Sequence, residues 1–255
     1  MDSVVLLRPV PDPAEELELN DDGNDLDRDY LGYVINEFDD HALEEALLLK
    51  EAAGGTLTVF GLGSADEMEQ ILHTALAKGA DEAIKLGDEL SHLSVSSQAE
   101  IFVSALEGRV YDLVLTGVQA ADELDGQLAV RVAAKLEIPH VSVVVGVDAG
   151  EGFVRVTKEF WGGITADYQV RTPAVLGIQA ARQAPRYVAV SLIRQAQQSG
   201  TLSEIDVDLP SDTSGVRVVS VRVPETGEGA EMIEGDEEAA AEKIVEIIRA
   251  AGVKS

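Results

Sequence analysis

From Val4 to about Gln179, short apolar runs alternate strictly with amphipathic stretches, which confines the chain to βαβ units wrapped around a parallel sheet. Val4 to Val10 is predicted as the first strand and Thr56 to Leu62 as the second, with further strands at Glu82 to Leu86 and from Asp112 to Gly117. Between them, helices are expected from Asn36 to Gly54, from about Ala65 to Lys78, and from about Ser94 to Leu106. A fourth helix runs through Lys135. Asn36 is the expected cap of the first helix, with Asp39 three residues on as a capping-box acid. Phe38, Ala42, Ala46 and Leu49, flanked by Leu43 and Leu47, form that helix's apolar stripe.

After Ile138-Pro139 the pattern changes. Val141 to Val147, Phe153 to Phe160, Ile164 to Val170 and Ala174 to Ile178 read as successive strands, with turns at Ala149-Gly150 and Gly162-Gly163 that predict antiparallel ribbons. The fold class is therefore α/β: a doubly wound, mostly parallel sheet with antiparallel additions. Residues 1–184 are expected to form the α/β domain. Residues 185–225 are weakly periodic and read as an extended arm ordered by contact with a partner. Residues 226–255 hold a last helix, Asp236 to Ala251, with Ala240, Ile244, Ile247 and Ile248 on its apolar side. The acidic segment Pro11 to Gly32 is long for a connection and is expected to carry its own hairpin or to cover a site.

Composition removes several chemistries. No cysteine is present, so disulfides, thiolate metal sites and cysteine nucleophiles are excluded, and 4 histidines leave little for a histidine-rich metal site. Against 19 Lys+Arg stand 47 Asp+Glu, a formal charge of -28 that repels nucleic acid. The acids are spread along the whole chain, which favours adaptation to a saline cytoplasm over a single cationic partner. No basic leader and no membrane-length apolar run is found, so a soluble cytoplasmic protein without membrane insertion is expected.

The candidate site is where strand ends meet helix starts. A doubly wound sheet would bring together the ends at Leu6 to Val10, at Leu62-Gly63-Ser64 and at Gly117 to Gln127, with Asn36 to Asp39 beside them. Backbone N–H groups at such a turn suit a phosphate. The alternative is an ordinary turn in which Gly117 relieves backbone strain. An adenine would lie against Leu6 and Leu62, with ribose and phosphates at the loop Gln119 to Gln127. The sequence has no GxGxxG after the first strand, no GxxxxGK[ST] and no GxSxG, so a nucleotide would be held and not hydrolysed. Trp161 is expected to pack at its hairpin, His41 to be solvated, and Glu234 to Glu238 to be a solvated helix start.

Val4 to Asp12 (VVLLRPVPD), Ile35 to Glu45 (INEFDDHALEE), Thr74 to Asp81 (TALAKGAD), Leu113 to Asp122 (LVLTGVQAAD), Pro173 to Val175 and Pro185-Arg186-Tyr187 resemble, in order and spacing, the beta subunit of electron transfer flavoprotein. The resemblance implies an adenine-nucleotide-alpha-hydrolase-like fold and a heterodimer with an alpha subunit that binds most of an FAD. It also implies AMP, or in a bifurcating branch a second FAD, in the beta subunit. Carried over by motif, the cofactor contacts would be Leu6, Asn36, Glu37, Phe38, Asp39, Leu62, Gly117, Gln119, Ala120, Asp122, Asp125, Gly126, Gln127 and Leu128. Phe38 would also approach the partner's flavin. Arg186, Tyr187, Val190 and Ile193 sit where the family recognises acyl-CoA dehydrogenase-type donors, and a membrane quinone oxidoreductase would be the acceptor.

The chain departs from the family loop at Leu124, where a second Asp is usual, and at Asp125, which replaces a hydroxyl or thiol. A carboxylate at Asp125 would repel a phosphate unless it turned outward. On this reading the chain is an electron carrier subunit with no catalytic residue or metal of its own. Its alternatives are a bifurcating subunit with a second FAD and a stand-alone nucleotide-binding regulator resembling universal stress proteins.

Overall fold

Alternate residues of the first strand face opposite sides of the sheet, and both sides are buried. β1 (Ser3–Leu7) sends Val5 and Leu7 into one apolar cluster and Val4 and Leu6 into another, as the two-residue period of a strand covered on both faces requires. The first cluster lies under α1 (Glu37–Ala53) and α2 (Ala65–Lys78), the second under α3 (Val95–Leu106) and α4 (Leu128–Leu136). The computed structural model describes residues 1–28, 31–63, 65–87, 93–123, 125–199, 202–208, 218–224, 229 and 232–252. Predicted site position Ser64 and departure Leu124 lie outside the described residues, as do 200–201, 209–217 and 225 of the predicted arm.

The other strands are β2 (Pro9–Pro11), β3 (Tyr33–Ile35), β4 (Leu57–Leu62), β5 (Glu82–Leu86), β6 (Leu113–Gly117), β7 (His140–Ala149), β8 (Phe153–Glu159), β9 (Thr165–Arg171), β10 (Ala174–Ile178) and β11 (Ser203–Ile205). Among the described residues one sheet runs β11-β5-β4-β1-β6-β10-β7-β8-β9. Pairing is parallel from β11 to β7 and antiparallel for β8 and β9, so the doubly wound sheet with antiparallel additions is present. At its centre Val5 aligns with Val59 on β4 and Leu115 on β6.

Two local differences have physical causes. The first strand does not continue to Val10: Pro9 has no N–H to give the parallel ladder, so the chain leaves the sheet and β2 pairs antiparallel with β3. Within Pro11 to Gly32 a small hairpin forms, as expected, in which Asn20 N–H donates to Asp25 O at 3.0 Å and Leu19 bridges Leu26. The second difference concerns the segment read as an extended arm. It contains α5 (Val190–Ser199), packed on α2, and β11, which extends the sheet beside β5. Ile193 and Ala196, three positions apart, are half-buried and give α5 an inner side that the glutamine-rich sequence obscured. Farther on, Val221 N–H reaches back to Gly23 O at 3.0 Å.

Trp161 stands at the hairpin between β8 and β9 but does not pack there; it is 98% exposed. The following Gly162 and Gly163 take positive φ values of 78° and 75°, and the short 3-10 turn leaves the indole outside. The last helix, α6 (Glu237–Ala250), begins as predicted: Asp236 accepts from Ala239 N–H at 3.0 Å, and the acids before it are exposed. Its apolar side, Ile244, Ile247 and Ile248, faces solvent. Among the described residues no helix is long and apolar enough to cross a membrane.

Asp81 ties the sheet to α1, accepting from Leu57 N–H and from Lys50 Nζ, both at 2.7 Å. Partial burial opposes its ionisation, but these two donors outweigh it and hold the carboxyl below the 3.8 of an ordinary aspartate. A depressed pKa lends stability above the unfolded value that is lost as pH falls through the folded one. Asp81→Asn is therefore expected to flatten the loss of thermal stability below about pH 4, measured as Tm against pH.

Candidate functional site

The strand order reverses between β1 and β6, since β1 continues through α1 to β4 on its other side. At such a switch point the loops beyond the strands diverge and leave a crevice. Arg8 follows β1, Gly117 ends β6, and the first turn of α1 lies over both.

Asp39 joins them. Its carboxylate is 0% exposed and accepts from Arg8 N–H at 3.0 Å, Arg8 Nε at 3.2 Å, Arg8 Nη2 at 3.4 Å and Gly117 N–H at 2.8 Å. The predicted capping box does not form. Asn36 occupies the cap position without a side-chain cap bond; its Nδ2 instead donates to Gln119 O at 2.8 Å across the crevice. Both residues hold the β6 loop, more than seventy positions away in sequence, in place of their own helix end.

Gly117 is required for close approach rather than for strain relief. A Cβ there would come within 2.5 Å of Asp39 Oδ1 and 2.7 Å of the Phe38 carbonyl carbon. The α1 start therefore sits directly on the end of β6.

Arg8 has one further partner. Its Nη1 donates to Glu123 Oε2 at 3.1 Å, while Glu123 Oε1 accepts from Ala120 N–H at 2.8 Å. Burial works against the Arg8 charge, but the Asp39 and Glu123 carboxylates outweigh it and hold the guanidinium firmly protonated. Burial pushes the Glu123 carboxyl up, against the pull of Arg8. Neither Arg8 nor Glu123 was among the residues singled out by sequence. One signal was available: Arg8 is the sole basic residue before Arg28 in an acidic segment, placed where an apolar strand ends.

A second set of buried acids on α1 fastens the chain after β10. Glu45, 0% exposed, accepts from Val147 N–H at 2.9 Å, Arg182 N–H at 3.0 Å and Arg182 Nε at 2.8 Å. Glu44 accepts from Arg186 N–H at 2.9 Å and Arg186 Nη2 at 2.8 Å, and Arg186 Nη1 reaches Glu51 at 2.6 Å. His41 is not simply solvated: its Nδ1 accepts from Ala181 N–H at 3.2 Å.

The structure gathers most of the sequence-selected residues at the crevice, with differing availability. Leu6 and Leu62 are core side chains beneath α3 and α4, so they offer a ligand backbone and not an apolar wall. Leu128 is likewise buried, and Gly117 and Ala120 are buried in the loop. Phe38, Gly126 and Gln127 are half-buried, whereas Glu37, Gln119, Asp122 and Asp125 are exposed. Gln127 accepts from Arg131 Nε at 3.1 Å. In the segment expected to recognise donors, Arg186 is an internal anchor, Tyr187 is 87% exposed, Val190 is exposed and Ile193 half-buried. Among the described residues no cluster of three or more His, Asp or Glu could hold a metal ion.

With four donors on its carboxylate, Asp39 anchors the end of β1 and the end of β6 to the start of α1. The arrangement is suited to binding.

The family model of the electron transfer flavoprotein domain matches residues 24–210. The chain is 32% identical over 245 residues to the electron transfer flavoprotein subunit beta of Methylophilus methylotrophus, covering 92% of each chain. It is 31% identical over 255 residues to that of Thermoanaerobacterium thermosaccharolyticum, covering 96% of this chain and 97% of the relative. With the Bacillus subtilis subunit the identity is 26% over 260 residues and 98% of each.

Proposed function

The chain belongs to the electron transfer flavoprotein family as a beta subunit, and from that premise we propose that it is one half of a heterodimeric electron carrier, with an adenine nucleotide in the β1–β6 crevice. The observation that carries the nucleotide reading is the crossing of Asn36 and Asp39 onto the β6 loop, which joins the two carried-over segments into one site.

The flavin, held mainly by an alpha subunit, would supply the one-electron chemistry. This chain's own residues would then bind and shape. Half-buried Phe38 leads the α1 turn that would approach the flavin. Exposed apolar side chains at Trp161, at Tyr187 and Val190, and along Ile244, Ile247 and Ile248 of α6 supply surface for the alpha subunit and for acyl-CoA dehydrogenase-type donors. Electrons would pass on to a quinone oxidoreductase.

For an adenosine the crevice offers the half-buried Phe38 on the first turn of α1 and the side chains of Gln119 and Gln127 on the β6 loop that Asn36 holds. They fit a phosphate less well, because the Glu123 carboxylate already holds Ala120 N–H and Arg8 Nη1.

Co-expression with an alpha-type subunit, followed by a visible spectrum and nucleotide extraction, tests the proposal. A yellow one-to-one complex releasing one FAD and AMP is expected. Two FAD per complex would replace the AMP part with the bifurcating arrangement. A colourless homodimer that never associates with an alpha subunit would overturn the carrier role.

A further inference from the structure

We propose that Glu123 is a built-in occupant of the crevice's anion position, and that it sets how much a phosphate adds to nucleoside binding. This builds on the nucleotide-binding reading of the crevice. Asp39 engages Nε and Nη2 of Arg8, so Nη1 is the donor directed at the β6 loop, and Glu123 Oε2 takes it at 3.1 Å. The other oxygen takes Ala120 N–H at 2.8 Å, a backbone donor of the strand-to-helix loop. One carboxylate therefore spans a guanidinium and a loop N–H, as a phosphate would.

The charge balance agrees. Among the described residues Arg8 is the one cation bonded to Asp39 and Glu123, and Arg28 is near enough to act on Asp122, but with exposed Asp122 and Asp125 on the same loop the carboxylates outnumber the two cations. A phosphate added beside an undisturbed Glu123 meets an already anionic site. It must displace that side chain, whose ionised form burial already disfavours. Asp39 is not displaceable in the same way, being fully buried and also bonded to Gly117 and to the Arg8 backbone. Glu123 has 8% side-chain exposure, against 0% for Asp39.

The test compares full-length parent, Glu123→Gln and Glu123→Ala by titration calorimetry with AMP and adenosine, and by Tm in inorganic phosphate against chloride at matched ionic strength. The parent is expected to bind AMP and adenosine with similar affinity. Both variants should tighten AMP about tenfold, the effect of one charge-assisted bond, leave adenosine unchanged, and gain a phosphate-dependent rise in Tm. An AMP-to-adenosine ratio that is the same in parent and variants overturns the role of Glu123 while leaving the nucleotide site standing. A phosphate response confined to the variants, with no AMP binding anywhere, supports Glu123 as the anion occupant and sinks the nucleotide reading. No response of any variant to any probe overturns both.

Discussion

Replacing Asp39 by Ala is expected to destabilise the protein by about 3–5 kcal/mol, the cost of breaking a buried ion pair from one side. Four donors converge on that carboxylate, and two of them belong to the guanidinium of Arg8, itself buried. Without it, Arg8 keeps a single partner in Glu123, and Gly117 N–H loses its acceptor in a region closed to water. Asp39→Asn keeps the volume but replaces an anion with a group that must turn an N–H₂ toward other donors, so it should recover only part of the loss. Glu37→Gln, two positions earlier and exposed on the same helical turn, is the control; it changes only a favourable charge near the helix start, worth about 0.3–1 kcal/mol. Urea denaturation measures all three, as a shift of midpoint at constant slope.

The second large effect is expected at Gly117. An added methyl would sit 2.5 Å from Asp39 Oδ1, 2.6 Å from Phe38 Cβ and 2.7 Å from the Phe38 carbonyl carbon. None of these can yield easily: one is backbone, and Asp39 is fixed by its donors. Gly117→Ala should therefore cost about 3 kcal/mol, the upper end for overpacking. The α1 start should lift from β6 and crevice binding should weaken with it. Gly146→Ala meets only the flexible stem of Arg182, at 3.3 Å and 3.5 Å, and is expected to cost less than about 1 kcal/mol. If both glycines tolerated alanine equally, the close approach of α1 to β6 would not be a constraint.

The sequence pattern carried the sheet well because its signals are local. A strand buried on both faces shows as an apolar run, and Gly54, at a φ of 69°, marks the end of α1 within the helix's own reach. The site was legible at the level of segments: the ends of β1 and β6 and the start of α1 do meet. Its chemistry was not. Asn36 and Asp39 match a capping box, but that pattern says nothing about the backbone groups of Gly117 and Gln119, which compete for the same side chains in the folded chain.

The same limit applies to Glu44 and Glu45. In a chain of charge -28 nothing in their own helix sets them apart from the other acids, yet backbone N–H groups from residues 147, 182 and 186 converge on them. Burial of an acid depends on donors contributed from elsewhere, and periodicity within one helix cannot supply that information. α5 was missed for a related reason. Among its described side chains the inner side is Ile193 and Ala196, and its place is set by α2 and by β11 joining the sheet edge.

The central claim is that the α1 start and the β6 loop together form the nucleotide site. Photolabelling with an azido-adenosine monophosphate, followed by peptide mapping, addresses it most directly. Label is predicted on peptides containing 36–39 and 117–128, suppressed by excess AMP and reduced in Gly117→Ala. Label that maps to other segments, or that excess AMP does not suppress, would contradict it.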